Sequence, residues 1–289
     1  MMRGYFLGTN SYIGNFFHSY IQKKNLKGYD FSTISCRDLS WKIISFTDTD
    51  FIICPIGIAH VSMDPSLEQE YYRVNCHLPV EVARKAKKEG VKYFIFFSSM
   101  IVFGKDKAIG QEYIIDSCTE PKPENFYGKS KLEAEKRLLE LSDENFKVAI
   151  LRLPMVYGPN CKGNFPKLLK IAEKLPILPT LENKRSMIYI ENLCEYILQC
   201  LRKPQTGIFY PQNVEYVSTQ QIIKLVAKIL KKKKLYISFF NPILKILSKR
   251  VDVLNRIFGT KIYDKSLSPN LMAYNVVDFE TSIKRCLEI

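Results

Sequence analysis

Only three histidines, one tryptophan and no CxxC pair occur among the 289 residues. His18, His60 and His77 share no ligand spacing, and Cys194 and Cys200 stand at no metal-binding interval, so no metal site is expected. The eight cysteines are scattered, several in apolar runs such as Ile52-Ile53-Cys54. That reads as reduced, buried thiols in a cytoplasmic protein, not a disulfide framework. No apolar run is long enough to span a bilayer, and no signal peptide is expected ahead of Tyr5. Acidic residues are scarce, 29 against 43 Lys and Arg, for a net charge of +14. Such a charge favours anionic partners: nucleic acid, anionic lipid or phosphorylated small molecules. No nucleic-acid recognition motif accompanies it, so nucleic acid is set aside.

What is present is an alternation. Short apolar runs at Tyr5–Leu7, Phe31–Ser35, Phe51–Cys54, Val91–Phe97 and Val148–Leu151 are separated by helical stretches near 12–24, 67–89 and 127–139. Strands alternating with helices predict βαβ units and an α/β doubly wound parallel sheet. Ligands in such sheets sit at the carboxyl ends of the strands. Gly8, Ser98, Ser99 and Pro154 all fall there.

Three features carry chemistry. The turn Gly8-Thr9-Asn10-Ser11-Tyr12-Ile13-Gly14 lies between a strand and a helix, where glycines allow a tight turn and close phosphate approach. Ser11 stands where a middle glycine is usual, and its Cβ is expected to crowd a pyrophosphate. Tyr127 and Lys131 are four apart and share a helix face. An ammonium beside a phenol lowers the phenol's pKa and makes it a usable acid/base. Ser99 adds a hydroxyl, and Gly128 and Ser130 are small enough to admit a ligand. Tyr20 and Lys24 share the spacing but lie away from any strand's carboxyl end. Third, Arg37 and Asp38 follow the second strand; an acidic residue there suits the ribose of NAD and an arginine the phosphate of NADP, with NADP favoured.

On these residues the chain resembles the extended short-chain dehydrogenase/reductases, the NAD-dependent epimerase/dehydratase family of nucleotide-sugar enzymes. The resemblance rests on the N-terminal turn, on Ser98-Ser99 with Val102-Phe103-Gly104, and on Tyr127-Gly128-Lys129-Ser130-Lys131. It extends to Arg152–Pro159 and Arg185–Asn192. It implies a Rossmann domain over 1–160, to which 186–210 returns, and a smaller, mainly helical substrate domain over 161–185 and 211–289. It implies Ser99, Tyr127 and Lys131 as catalytic. Gly8, Ser11, Tyr12, Ile13, Gly14, Arg37, Asp38, Gly57, Ser98 and Pro154 would meet the cofactor together with Tyr127 and Lys131. Ser99, Asn164 and Arg185 would meet a nucleoside-diphosphate sugar. A homodimer is expected by analogy.

The implied activity is hydride transfer at the sugar C4, as in a UDP-hexose 4-epimerase. The alternative is an NADPH-dependent reductase of a nucleotide-linked 4-keto-6-deoxy sugar. Ser99-Met100-Ile101 lacks the Asp-Glu pair of the family's dehydratases. A non-catalytic nucleotide-sensing or scaffold protein is the reading from another class. Last, Lys231–Lys234, Lys245, Lys249, Arg250 and Arg256 surround an apolar run, Leu235–Leu247. It is read as a solvated lysine turn followed by a domain-packing helix, with peripheral contact to an anionic membrane as the lesser alternative.

Overall fold

The computed structural model describes residues 1–58 and 64–287; His60 lies outside them. The chain divides into two units. The first comprises Met1–Lys105, Glu120–Leu153 and Cys194–Pro211, and the second Asp106–Thr119, Pro154–Leu193 and Gln212–Ile289.

The first unit is built on six strands, numbered along the whole chain: β1 (Met2–Leu7), β2 (Tyr29–Ile34), β3 (Phe51–Cys54), β4 (Tyr93–Ser99), β6 (Lys147–Leu153) and β10 (Gly207–Phe209). They form one sheet in the order β10-β6-β4-β3-β1-β2, every pairing parallel. All four residues of β3 and the first six of β4 are buried. A parallel sheet covered on both faces demands such continuous apolar strands. Val82, Ala83 and Ala86 from one covering helix, and Ala134 and Leu138 from another, pack on Ile52, Phe94, Phe96, Val148 and Ile150. From β1 the chain goes first to β2 on one side and then to β3 on the other. The strand order therefore reverses between β1 and β3, the position where doubly wound sheets take ligands.

The helices are α1 (Tyr12–Lys23), α2 (Glu68–Tyr72), α3 (Leu78–Lys88), α4 (Phe126–Glu140) and α6 (Ile190–Arg202), which enters this unit from Cys194. Side chains cap the first turns that matter: Ser11 accepts from Gly14 N at the head of α1, and Asn125 from Gly128 N at the head of α4. Between α2 and α3 the expected single helix widens into a π-turn at Arg73–His77, with Asn75 fully buried inside it.

The second unit holds short parallel strand pairs: β5 (Ile114–Ile115) with β12 (Ile262–Tyr263), β7 (Met155–Tyr157) with β9 (Met187–Tyr189), and β8 (Ile177–Pro179) with β11 (Leu235–Ile237). Its helices are α5 (Asn164–Lys174), α7 (Thr219–Ile229), α8 (Asn241–Ser248), α9 (Asp252–Phe258), α10 (Leu271–Tyr274) and α11 (Phe279–Leu287). Ser218 and Gln221 cap α7 reciprocally. The expectation of a packing helix in the lysine-rich segment is corrected here: α8 buries only Ser248 and leaves Ile243, Ile246 and Leu247 exposed.

Candidate active site

In the first unit a cleft of about 450 Å³ opens at the carboxyl ends of β1, β2 and β3. Gly8–Ser11, Ser35–Arg37 and Pro55–Ile58 line it. Gly8 has φ +95°, a region that L side chains rarely enter, so the turn out of β1 requires glycine. Gly14 has a different role: a Cβ there would lie 2.7 Å from the Phe6 ring, so it permits α1 to pack on β1. Ser11 lines the cleft but spends its hydroxyl as the cap of α1, 3.1 Å from Gly14 N. Tyr12, Ile13 and Gly14 form the first turn of α1 behind it. A positive-φ glycine, a helix start and a glycine-lined wall are what a dinucleotide pyrophosphate needs, and the cleft volume is in the range of ligand sites. The residues fit such a group.

Arg37 lines this cleft and Asp38 does not. Asp38 caps the following turn: its carboxylate accepts from Ser40 N at 2.9 Å and from the Ser40 hydroxyl. Those bonds hold its pKa below the ordinary aspartate value.

The structure brings Ser99 and Tyr127 together. The Ser99 hydroxyl and the Tyr127 phenol are hydrogen-bonded, a contact that favours the phenolate. Burial is the larger influence, and with Tyr71 it raises the phenol pKa above its ordinary value. The expectation that Lys131 lowers that pKa is therefore corrected. Lys131, 2% exposed, donates to Ile56 O and Phe97 O, both at 2.8 Å, and its ammonium lies 4.3 Å from the Phe96 ring centroid. Burial pulls its own pKa down to about 8, opposed by Cys54 and Glu135. Of three ammonium hydrogens two are thus spent on carbonyls, leaving one for a ligand. Gly57 makes room for this: a Cβ there would stand 2.9 Å from Lys131 Nζ.

Gly128 and Ser130 do not serve ligand access. A Cβ on Gly128 would meet Pro123 Cβ at 2.8 Å and Ile101 O at 3.0 Å, so its smallness is a packing requirement. Ser130 accepts from Asn75 Nδ2 at 3.0 Å. Asn75 in turn accepts from Ile58 N at 2.6 Å and donates to Ile58 O, clamping the loop that carries Gly57 to α4. Sequence reading missed Asn75, since a lone asparagine in a charged helix gives no signal. Ser98 also turns away from the cleft. Its hydroxyl donates to Glu135, which holds Arg152 through Nε and Nη2 in a buried pair, while Arg152 Nη1 donates to Tyr210. Pro154 lies buried at the start of the second unit, between β6 and β7.

In the second unit a cavity of about 160 Å³ collects Asn164 and Arg185, 21 positions apart, with Lys167 and Arg256, which the motif comparison did not single out. Its walls are apolar, including Met155, Leu168, Met187 and Ile257. Three cations among apolar walls suit an anionic group attached to a flat or apolar one. The Arg185 guanidinium is already engaged: it donates to Gly259 O at 3.0 Å and pairs with Asp106 at 3.2 Å. Asn164 is the exposed first residue of α5, capped by Gly163 at φ +98°. A larger groove in this unit, about 790 Å³, carries Glu112, Glu182 and Glu215 against one lysine, Lys184, and so suits phosphates less well.

Comparisons with known proteins find relatives in sequence and in fold. The UDP-glucose 4-epimerase of Vibrio cholerae is 34% identical over 230 residues, covering 76% of this chain and 70% of the relative. The N-acetyl-α-D-glucosaminyl-diphospho-ditrans,octacis-undecaprenol 4-epimerase of Escherichia coli O157:H7 is 29% identical over 205 residues, 68% of this chain and 60% of that one. In fold, a dTDP-4-dehydrorhamnose reductase from Clostridium acetobutylicum superposes with a TM-score of 0.75 at 15% identity over 99% of this chain and 98% of the reductase. The profile of the NAD dependent epimerase/dehydratase family matches residues 7–210, spanning the cleft, Ser99, Tyr127 and Lys131. The chain belongs to that family.

Proposed function

We propose that the protein is a nucleotide-sugar 4-epimerase that works through hydride transfer at the sugar C4. The observation that carries this is the Ser99–Tyr127 hydrogen bond standing with buried Lys131 beside a glycine-lined cleft. Gly8, Ser11, the start of α1, Gly57 and Arg37 would hold a nicotinamide dinucleotide. When bound, the nicotinamide supplies a hydride acceptor and donor. Tyr127 takes or returns the proton of the C4 hydroxyl, and Ser99 hydrogen-bonds the same oxygen. The remaining Lys131 hydrogen is available to a ribose hydroxyl. In the second unit Arg185, Lys167 and Arg256 would neutralise the substrate diphosphate, with Asn164 as a neutral donor.

Oxidation at C4, turnover of the 4-keto sugar and reduction of its other face give the epimer. The first unit is on this reading the dinucleotide domain and the second the substrate domain. Scattered cysteines, most of them buried, support a cytoplasmic setting. Among the described residues no helix is long and apolar enough to cross a membrane.

One observation favours the second reading, an NADPH-dependent reductase of a nucleotide-linked 4-keto sugar. Arg37 faces the cleft while Asp38 is spent on Ser40, an arrangement that suits the 2′-phosphate of NADP. Incubation with UDP-hexoses and no added cofactor separates the two. Interconversion supports the epimerase; stoichiometric NADPH consumption on a keto sugar supports the reductase; neither result refutes both.

A further inference from the structure

The lysine-rich part of the second unit is inverted. α8 anchors itself by a polar residue: the Ser248 hydroxyl accepts from Ile109 N at 3.2 Å and donates to Lys245 O at 2.7 Å. Its apolar residues point the other way. Ile243 is 50% exposed and Ile246 68%, and Phe239, just before the helix, is 75% exposed. Phe240, Ile243 and Leu247 follow at i, i+3 and i+7, and Phe239, Ile243 and Ile246 at i, i+4 and i+7, so these side chains share one helical face. The β8–β11 pair adds to the apolar exposure. Leu235 pairs with Ile177 in register and both are exposed. Asn241 ties α8 to β8 through Thr180 at 3.1 Å.

Cations flank the patch along the chain. Between positions 231 and 256 there are eight Lys and Arg and one acidic residue, Asp252. Lys231, Lys233, Lys245, Lys249 and Arg250 are exposed. A monomer rarely leaves so many large apolar side chains together in water. Apolar side chains rimmed by lysine match a surface that is itself apolar beneath an anionic layer. A second copy of this chain matches poorly, because a two-fold contact would bring the lysine rims against one another.

We infer that the exposed face of α8 and the β8–β11 pair, with its lysine rim, seats the protein peripherally on an anionic lipid bilayer. Phe239, Ile243 and Ile246 enter the acyl boundary, and the lysines meet the headgroups.

The test is co-sedimentation of the full chain with phosphatidylcholine vesicles with and without phosphatidylglycerol. Binding to the anionic vesicles is expected, reduced by salt and at least tenfold weaker in a Phe239→Asp/Ile246→Asp variant, by the order of magnitude that two lost apolar anchors imply. Lys231→Gln/Lys233→Gln should weaken binding to anionic vesicles by a smaller factor and leave the fold intact by circular dichroism. Equal binding to both vesicle types, or none to either, overturns the inference. So does concentration-dependent self-association in analytical ultracentrifugation that Phe239→Asp/Ile246→Asp abolishes, since the patch would then be covered by a second copy.

Discussion

α4 and α8 break the usual rule of burial in opposite directions. α4 encloses a lysine, Lys131, 2% exposed, while α8 holds isoleucine in water, Ile246, 68% exposed. Neither choice favours folding. An ammonium loses hydration when buried, and an isoleucine side chain left in water forgoes stabilisation of about 2 kcal/mol. Each therefore marks a place where a sequence serves something besides stability. The difference lies in how each cost is offset. Lys131 is held by two carbonyls at 2.8 Å, inside the molecule. Among the described residues Ile246 has no such compensation, which directs attention to an external surface.

The sharpest way to break the comparison is Tyr127→Phe. It should lower turnover by roughly 10²–10⁴ with the melting temperature and cofactor binding kept. Undiminished product formation would mean that α4 buries Lys131 for packing alone. Next comes Lys131→Met, expected to lower turnover by about 10² and to change the pH dependence of stability. Burial brings the folded lysine to about 8, from an ordinary 10.5. Between these the unfolded chain binds more protons, so this group raises stability as pH rises through that window. Urea melts across it should show the difference in stability between wild type and Lys131→Met growing in favour of wild type; a flat difference contradicts the assignment.

Arg37→Ala is the third, with an expected rise of about tenfold in KM for NADPH and little change for NADH, the size of one lost charge-assisted contact. An unchanged NADPH KM removes the NADP preference. The smallest effects sharpen the α8 side. Ser248→Ala should cost about 1 kcal/mol through its lost hydrogen bonds, and Ile246→Ser less than about 0.5 kcal/mol, as at an exposed site. Chemical denaturation in which Ile246→Ser costs more than Ser248→Ala would show that the isoleucine is packed.

Much of the sheet was legible because burial on both faces leaves unbroken apolar runs. Phe51–Cys54 was read to the residue, and Val91–Phe97 fell two residues short of the strand's end at Ser99. The turn was legible through Gly8 and Gly14, whose two roles follow from backbone freedom and helix–strand closeness. Ser99 and Tyr127 could be paired because both fall just beyond or after the same apolar strand. What stayed hidden was pairing across long separations. Ser98 reaches Glu135, Arg185 reaches Asp106, and Lys131 reaches Ile56 O, and no local periodicity encodes such partners. The exposure of α8 was hidden for a related reason. Its apolar content reads the same in a sequence whether it meets a core or water.

Of the two carbonyls that hold Lys131, one lies in the segment leaving β3 and the other near the end of its neighbour β4. The lysine thus fastens the mouth of the cleft as well as serving whatever occupies it. A descendant that abandoned turnover would keep this lysine for the sake of its own architecture, yet would have little reason to retain the phenol. Among relatives of this chain, the tyrosine is the sounder witness to living chemistry.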